Sequence, residues 1–103
     1  MEIPETIRRL LWEYDLGALE DPGALDRAIF ERVMERGGWH AMRWLLQTYS
    51  RDRLRIFLED RGHRVLPARE LRFWSWACGV PDSVTGEWVD LAKTREQTWR
   101  GTP

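Results

Sequence analysis

The stretch "PARELRFWSWACGVP", residues 67–81, places three aromatic rings and the chain's only cysteine between two prolines. Proline is tolerated where a helix begins, because the N–H it lacks would go unused there, and Gly-Val-Pro is a helix stop. Between these signals Leu71, Trp74 and Cys78 recur at the three- and four-residue spacing of one helical face. Phe73 and Trp76 fall off that face. With the inward stripe already complete, those two rings need another cover. The tail "EWVDLAKTREQTWRGTP", residues 87–103, is one candidate, and a second molecule is the other.

The same reading extends in both directions. Pro4-Glu5 opens a helix with Ile7, Leu10 and Leu11 on one side, and the glycines of "DLGALEDPG" break it. Asp21-Pro22 supplies a cap followed by a first-turn proline. From there Leu25, Ala28, Ile29 and Val33 repeat at helical spacing, with Asp26, Arg27, Glu31 and Glu35 outside, until Gly37-Gly38 ends the segment as a C-terminal cap. Trp39, Met42, Leu46 and Tyr49 predict the next stripe. Ser50 caps a further helix with Leu54, Phe57 and Leu58 inward, and "RGHRV" reads as a loop. A last helix is expected over Glu87–Gln97, with Trp88, Leu91 and Ala92 as its apolar side. Period-two alternation is absent. The expected fold is all-α, a compact bundle of five to six short helices in one domain over 1–103, with 98–103 a tail that can fray.

Composition bounds the class. A chain of 103 residues, 43% hydrophobic and 32% charged, is globular and near the usual size of one domain. No apolar run reaches the roughly 18 residues of a membrane span, and "MEIPETIRRL" lacks the core of a signal peptide. A cytoplasmic protein is expected, and a single cysteine suits a reducing compartment. Fifteen of the sixteen cationic side chains are Arg, and Asn is absent. Scarcity of labile amides hints at a thermophile, though a GC-rich genome also favours Arg. The net charge of −1 argues against a general nucleic-acid binder, but the charge is uneven. Residues 1–35 hold nine acids and four bases, whereas 43–72 hold eight Arg and four acids. Such halves can meet within a fold or face different partners.

Candidate chemistry is sparse. Cys78 sits near a helix C-terminus, where the dipole favours the protonated thiol, so it reads as a small buried hydrophobe and not a nucleophile. His40 and His63 are the only imidazoles and lie 23 residues apart, so no helical metal pair exists. Glu13/Asp15 and Glu59/Asp60 are paired carboxylates at helix-end or solvated positions, whereas catalytic pairs need burial and convergence. Ser50 and His63 lack a nucleophile elbow or oxyanion motif, and no glycine-rich phosphate loop is present. No catalytic residue, cofactor or metal is expected, and the chain is not read as an enzyme. Arg51 and Arg55 share a face at i and i+4, with Arg53 between them. Following a tight turn, that helix resembles the reader of a helix-turn-helix, although Asp52, Glu59 and Asp60 interleave with it.

The blocks "LLWEYDLGALE", "IFERVMERG", "MRWLLQTYSRDRLRIFLED" and "RVLPARELRFWSWACGVP" together resemble a small bacterial family of uncharacterised helical proteins. The resemblance spans about residues 10–81, its last block being the most specific. Members often appear beside nucleotidyltransferase-like toxins of the abortive-infection type, which implies an antitoxin-like or partner-protein role and no activity of their own. Where that family commonly has Ser before the proline of the last block, this chain has Leu66, a lost cap worth on the order of 1 kcal/mol. Two functions follow. The first is an interaction protein that grips a partner, such as the neighbouring toxin, through Phe73, Trp74, Trp76, Trp88 and Trp99, with Arg51, Arg53 and Arg55 steering an acidic surface. In that reading Trp74 has a second option, the core, and the aromatic surface can also pair two copies of the chain. The alternative is a nucleic-acid-binding module using the Arg51/Arg53/Arg55 helix.

Overall fold

A computed structural model describes residues 3–11 and 22–100 of the protein. Six helices run through the described residues and no strand occurs among them, so the chain is all-α. They are α1 (Glu5–Leu10), α2 (Pro22–Arg36), α3 (Trp39–Thr48), α4 (Arg51–Phe57), α5 (Ala68–Ala77) and α6 (Asp82–Arg100). The helical path of α4 continues through a π-helical segment, Leu58–Gly62, and a last α turn, His63–Val65. The chain groups into two units, Met1–Tyr49 and Ser50–Pro103.

In the first unit α2 begins at Pro22, as a first-turn proline allows. It buries Ala28, Ile29 and Val33 as the spacing predicts, and Phe30 and Met34 as well. Asp26 departs from the expected solvated face. Its carboxylate accepts a 2.9 Å hydrogen bond from the Tyr49 hydroxyl, and the Tyr49 ring stands edge-on to Phe30 at 4.6 Å. A buried phenol needs an acceptor for its O–H, and Asp26 supplies it. Of the predicted α3 stripe Tyr49 is buried as expected, whereas Met42 and Leu46 are one position out of register. The buried line is Ala41, Leu45 and Tyr49, while Met42 and Leu46 are half-buried and Trp39 is 69% exposed. Trp39 is the first residue of its helix, and small Ala41 marks the inward face without any bulk to announce it.

α2 ends at Arg36, so Gly37-Gly38 closes it as expected, although Gly37 is not left-handed. The Gly37 N–H continues the helix ladder to Val33 O at 2.8 Å, and a Cβ there would lie 2.5 Å from that same carbonyl oxygen. Glycine is required at this position by space. The left-handed cap is at Gly79 instead, whose φ is +76°.

In the second unit Ser50 caps α4 as predicted, its Oγ accepting the Arg53 N–H at 3.2 Å, and Leu54, Phe57 and Leu58 are buried. "RGHRV" is not a loop. The chain stays helical by widening, and Gly62 lies buried where a Cβ would come within 2.9 Å of Leu58 and 3.1 Å of the Phe57 ring. Leu66 is buried before Pro67, which is the N-cap of α5. Leu71, Trp74 and Cys78 face inward along α5, as their spacing requires. Its end is a Schellman motif: Gly79 N–H bonds to Trp76 O at 3.2 Å and Val80 N–H to Ser75 O at 2.9 Å, with Val80 buried. The last helix starts five residues before the expected Glu87, at Asp82, an acid in the first turn. Among its described side chains Val89 and Ala92 are buried, and Leu91 is turned outward.

Candidate interaction surface

The inward line of α5 decides what its outer side carries. Residues three, four and seven apart share a helical face, so Arg69, Arg72, Phe73 and Trp76 form one outward stripe. Trp76 is 75% exposed and Phe73 half-buried, with the two rings 6.2 Å apart and tilted by 48°. Phe73 is held from behind by the edge of Trp74 at 5.3 Å. Trp74 itself is 1% exposed, so the expectation that it anchors a partner gives way to its core alternative. It occupies the centre of the inward stripe, between Leu71 and Cys78, and its ring has no outer face to offer.

The remaining predicted anchors divide. Trp88 is half-buried and stacks on the His63 ring, with centroids 4.8 Å apart and planes 18° from parallel. His63 Nδ1 lies 2.7 Å from Leu58 O, which can only accept, so Nδ1 carries the proton. Trp88 thus braces the π-helical segment and has one face occupied. The Trp99 side chain, the carboxylates Glu13 and Asp15, and residues 101–103 of the expected tail lie outside the described residues. Four further exposed apolar side chains escape the sequence reading, Trp39 in the first unit and Ile56, Val65 and Leu91 in the second. Ile56 had a legible signal, since it is the one apolar position of α4 outside the Leu54/Phe57/Leu58 face.

One member of the predicted cationic triad, Arg55, is engaged along its own helical path. Arg55 Nη2 meets Asp52 at 2.8 Å and its Nε meets Glu59 at 3.8 Å. Arg51 and Arg53 are exposed on the same helix. A more open set of cations lies between α5 and α6, where a cleft of about 290 Å³ is lined by Ala68, Arg69, Arg72, Lys93 and Glu96. The Glu96 carboxylate accepts the Ala68 N–H at 2.8 Å, closing the N-terminus of α5 that its N-cap, Pro67, leaves without a side-chain hydrogen bond. Beside it Arg95 donates to the carbonyls of His63 at 3.2 Å and Leu66 at 3.5 Å. The end of α6 therefore ties down the corner that leads into α5.

Chemistry of other kinds has little to work with. Burial pushes the Cys78 thiol from 9.0 up to about 11, and the nearby charges of Arg51 and Arg55 pull it back only in part. Among the described residues no group of three His, Cys, Asp or Glu side chains could hold a metal ion. No described helix is long and apolar enough to cross a membrane.

The described residues thus define an all-α chain with an aromatic and cationic stripe on one outward helix. Comparison with known families matches residues 7–58, half of the chain, to a family of unknown function (DUF6922). The chain belongs to that family. No curated protein and no solved structure matches it.

Proposed function

We propose that the protein binds a partner protein through the outer face of α5, with Trp76 as the anchor and Phe73 beside it. The exposure of Trp76 carries this reading. An indole three-quarters open to water, on a helix fixed at both ends by Glu96 and the Gly79 cap, is a rigid apolar anchor of the type that dominates interface energies. No catalytic step is assigned to the chain. The partner suggested by the family resemblance is a nucleotidyltransferase-like toxin encoded alongside, with neutralisation as the role. A second copy of the chain is the competing occupant of the same face.

The test is co-expression with the neighbouring gene and purification through a single tag on the partner. Retention of the wild-type chain, lost on Trp76→Ala and kept on Trp39→Ala, supports the proposal. Recovery of the partner alone, or equal retention of both variants, overturns it. A nucleic-acid role for the Arg51/Arg53/Arg55 helix receives no support from Arg55, whose guanidinium is engaged by Asp52 and Glu59.

A further inference from the structure

The cleft between α5 and α6 gathers three cations, Arg69, Arg72 and Lys93, around a single anion, Glu96. Among the described residues none of the three cations has an ion pair or hydrogen bond, and the Glu96 carboxylate is already engaged by the Ala68 N–H. Elsewhere on this chain some arginines find carboxylates within their own helix, as Arg9 does with Glu5 and Arg55 with Asp52. The cleft instead gathers an excess of positive charge in a concave site on a chain whose net charge is −1. It is also continuous with the aromatic stripe. Arg69 and Arg72 share the outward face of Trp76, and seven residues of helix place Arg69 about 10 Å from Trp76 along the axis.

We infer that this cleft receives carboxylate side chains of the partner, so that the partner segment is an acidic stretch followed by an apolar residue. The inference rests on the proposed docking of a protein on α5. Glu96 shows that the cleft fits a carboxylate, and arginine's planar fork binds that group with two parallel hydrogen bonds. A span of about 10 Å corresponds to about three residues of extended chain or about seven of helix between the partner's acids and its apolar anchor. A nucleic-acid backbone fits less well. It presents phosphates at regular intervals and needs a track of cations, whereas here the cations converge on one cleft beside the Glu96 carboxylate and the stripe ends in rings.

The experiment is a solution titration of the full chain, followed by amide NMR, with three probes. The first is a blocked ten-residue peptide of four glutamates followed by Ser-Ser-Leu-Leu-Ser-Ser. The second has glutamine at the four acidic positions, and the third is a twelve-nucleotide thymidine oligomer. The expected result is shifts at Arg69, Arg72 and Lys93 with the glutamate peptide, and at least about tenfold weaker binding of the glutamine peptide. Arg72→Glu, an exposed position whose folding is checked by its melting midpoint, should weaken the glutamate peptide by a similar factor, as should 0.5 M salt, where the screening length is about half that at physiological ionic strength. Absence of binding by the glutamate peptide overturns the inference, and so does tighter binding of the oligonucleotide. Equal binding of both peptides, lost on Trp76→Ala but indifferent to Arg72→Glu, overturns the carboxylate cleft while leaving the aromatic docking face standing.

Discussion

The Glu96 carboxylate caps the first N–H of a helix that begins 28 residues earlier in the chain, at Ala68, across 2.8 Å. A cap supplied from another helix does the work of a local serine and also locks the two helices together. Glu96→Ala should cost about 1 kcal/mol, the usual worth of a cap, and Glu96→Gln, which keeps an acceptor, markedly less. Urea unfolding of the two variants checks the difference, and equal losses would mean that charge, and not the hydrogen bond, is what matters.

Gly79 is left-handed with open space where a Cβ would stand. The penalty for alanine is therefore conformational alone. Gly79→Ala should destabilise by about 1–2 kcal/mol, with no change in the packing signals of Trp74. A loss under a few tenths in thermal or urea melts would show that the Schellman turn relaxes freely.

Ser75 is fully buried in α5 and its Oγ has no hydrogen-bond partner. An unsatisfied buried hydroxyl costs more than the methyl that could replace it. Ser75→Ala should be neutral or stabilising by up to about 1 kcal/mol. Clear destabilisation would show that the hydroxyl finds a partner in solution.

Trp74 and Trp76 are two residues apart on one helix and should respond oppositely. Trp74→Ala opens a cavity in the core and should cost about 3–5 kcal/mol. Trp76→Ala removes an exposed ring and should stay within about 0.5 kcal/mol while abolishing partner retention. Paired stability and co-purification measurements separate them.

For Cys78 the sign follows from the proton. The unfolded thiol ionises near 9.0 and the folded one near 11, because burial disfavours the thiolate. Below pH 9 both states hold the proton and this group contributes no slope. Between 9 and 11 the unfolded chain has released it and the folded chain has not, so stability falls, by roughly 3 kcal/mol in all. Urea melts of wild type and Cys78→Ala across that window isolate the effect. Alkylation at pH 8 should require unfolding, and rapid labelling of the folded chain would contradict the burial.

Much of this was legible in the chain itself, where helix punctuation and bulky periodic residues coincide. Ser50, Pro67 and Gly79 mark ends that the structure keeps, and Leu71, Trp74 and Cys78 mark a face that it buries. The α3 register escaped because Ala41, a small residue, carries the buried line, and Trp39, a large one, does not. The early start of α6 was hidden by Val84, Thr85 and Gly86, all weak helix formers, although Asp82 after Pro81 is a start signal. The cationic cleft could not be foreseen. Arg69 and Lys93 are 24 residues apart, and only the packing of α5 on α6 makes them neighbours.

The widened turn at Leu58–Gly62 takes up one residue more than an α-helical turn needs. Deleting one residue there would let the backbone close as an ordinary α-helix, and the side chains after it would keep nearly their present azimuth, because the wide turn and the α turn that replaces it sweep almost the same angle. Deleting one residue in the α-helical stretch of α4 has no such slack to draw on and would swing every later side chain by about 100° around the axis, sliding His63 off the indole of Trp88. The segment is thus the one place on this helical path where the length of the chain can change by a codon with the downstream helices still seated.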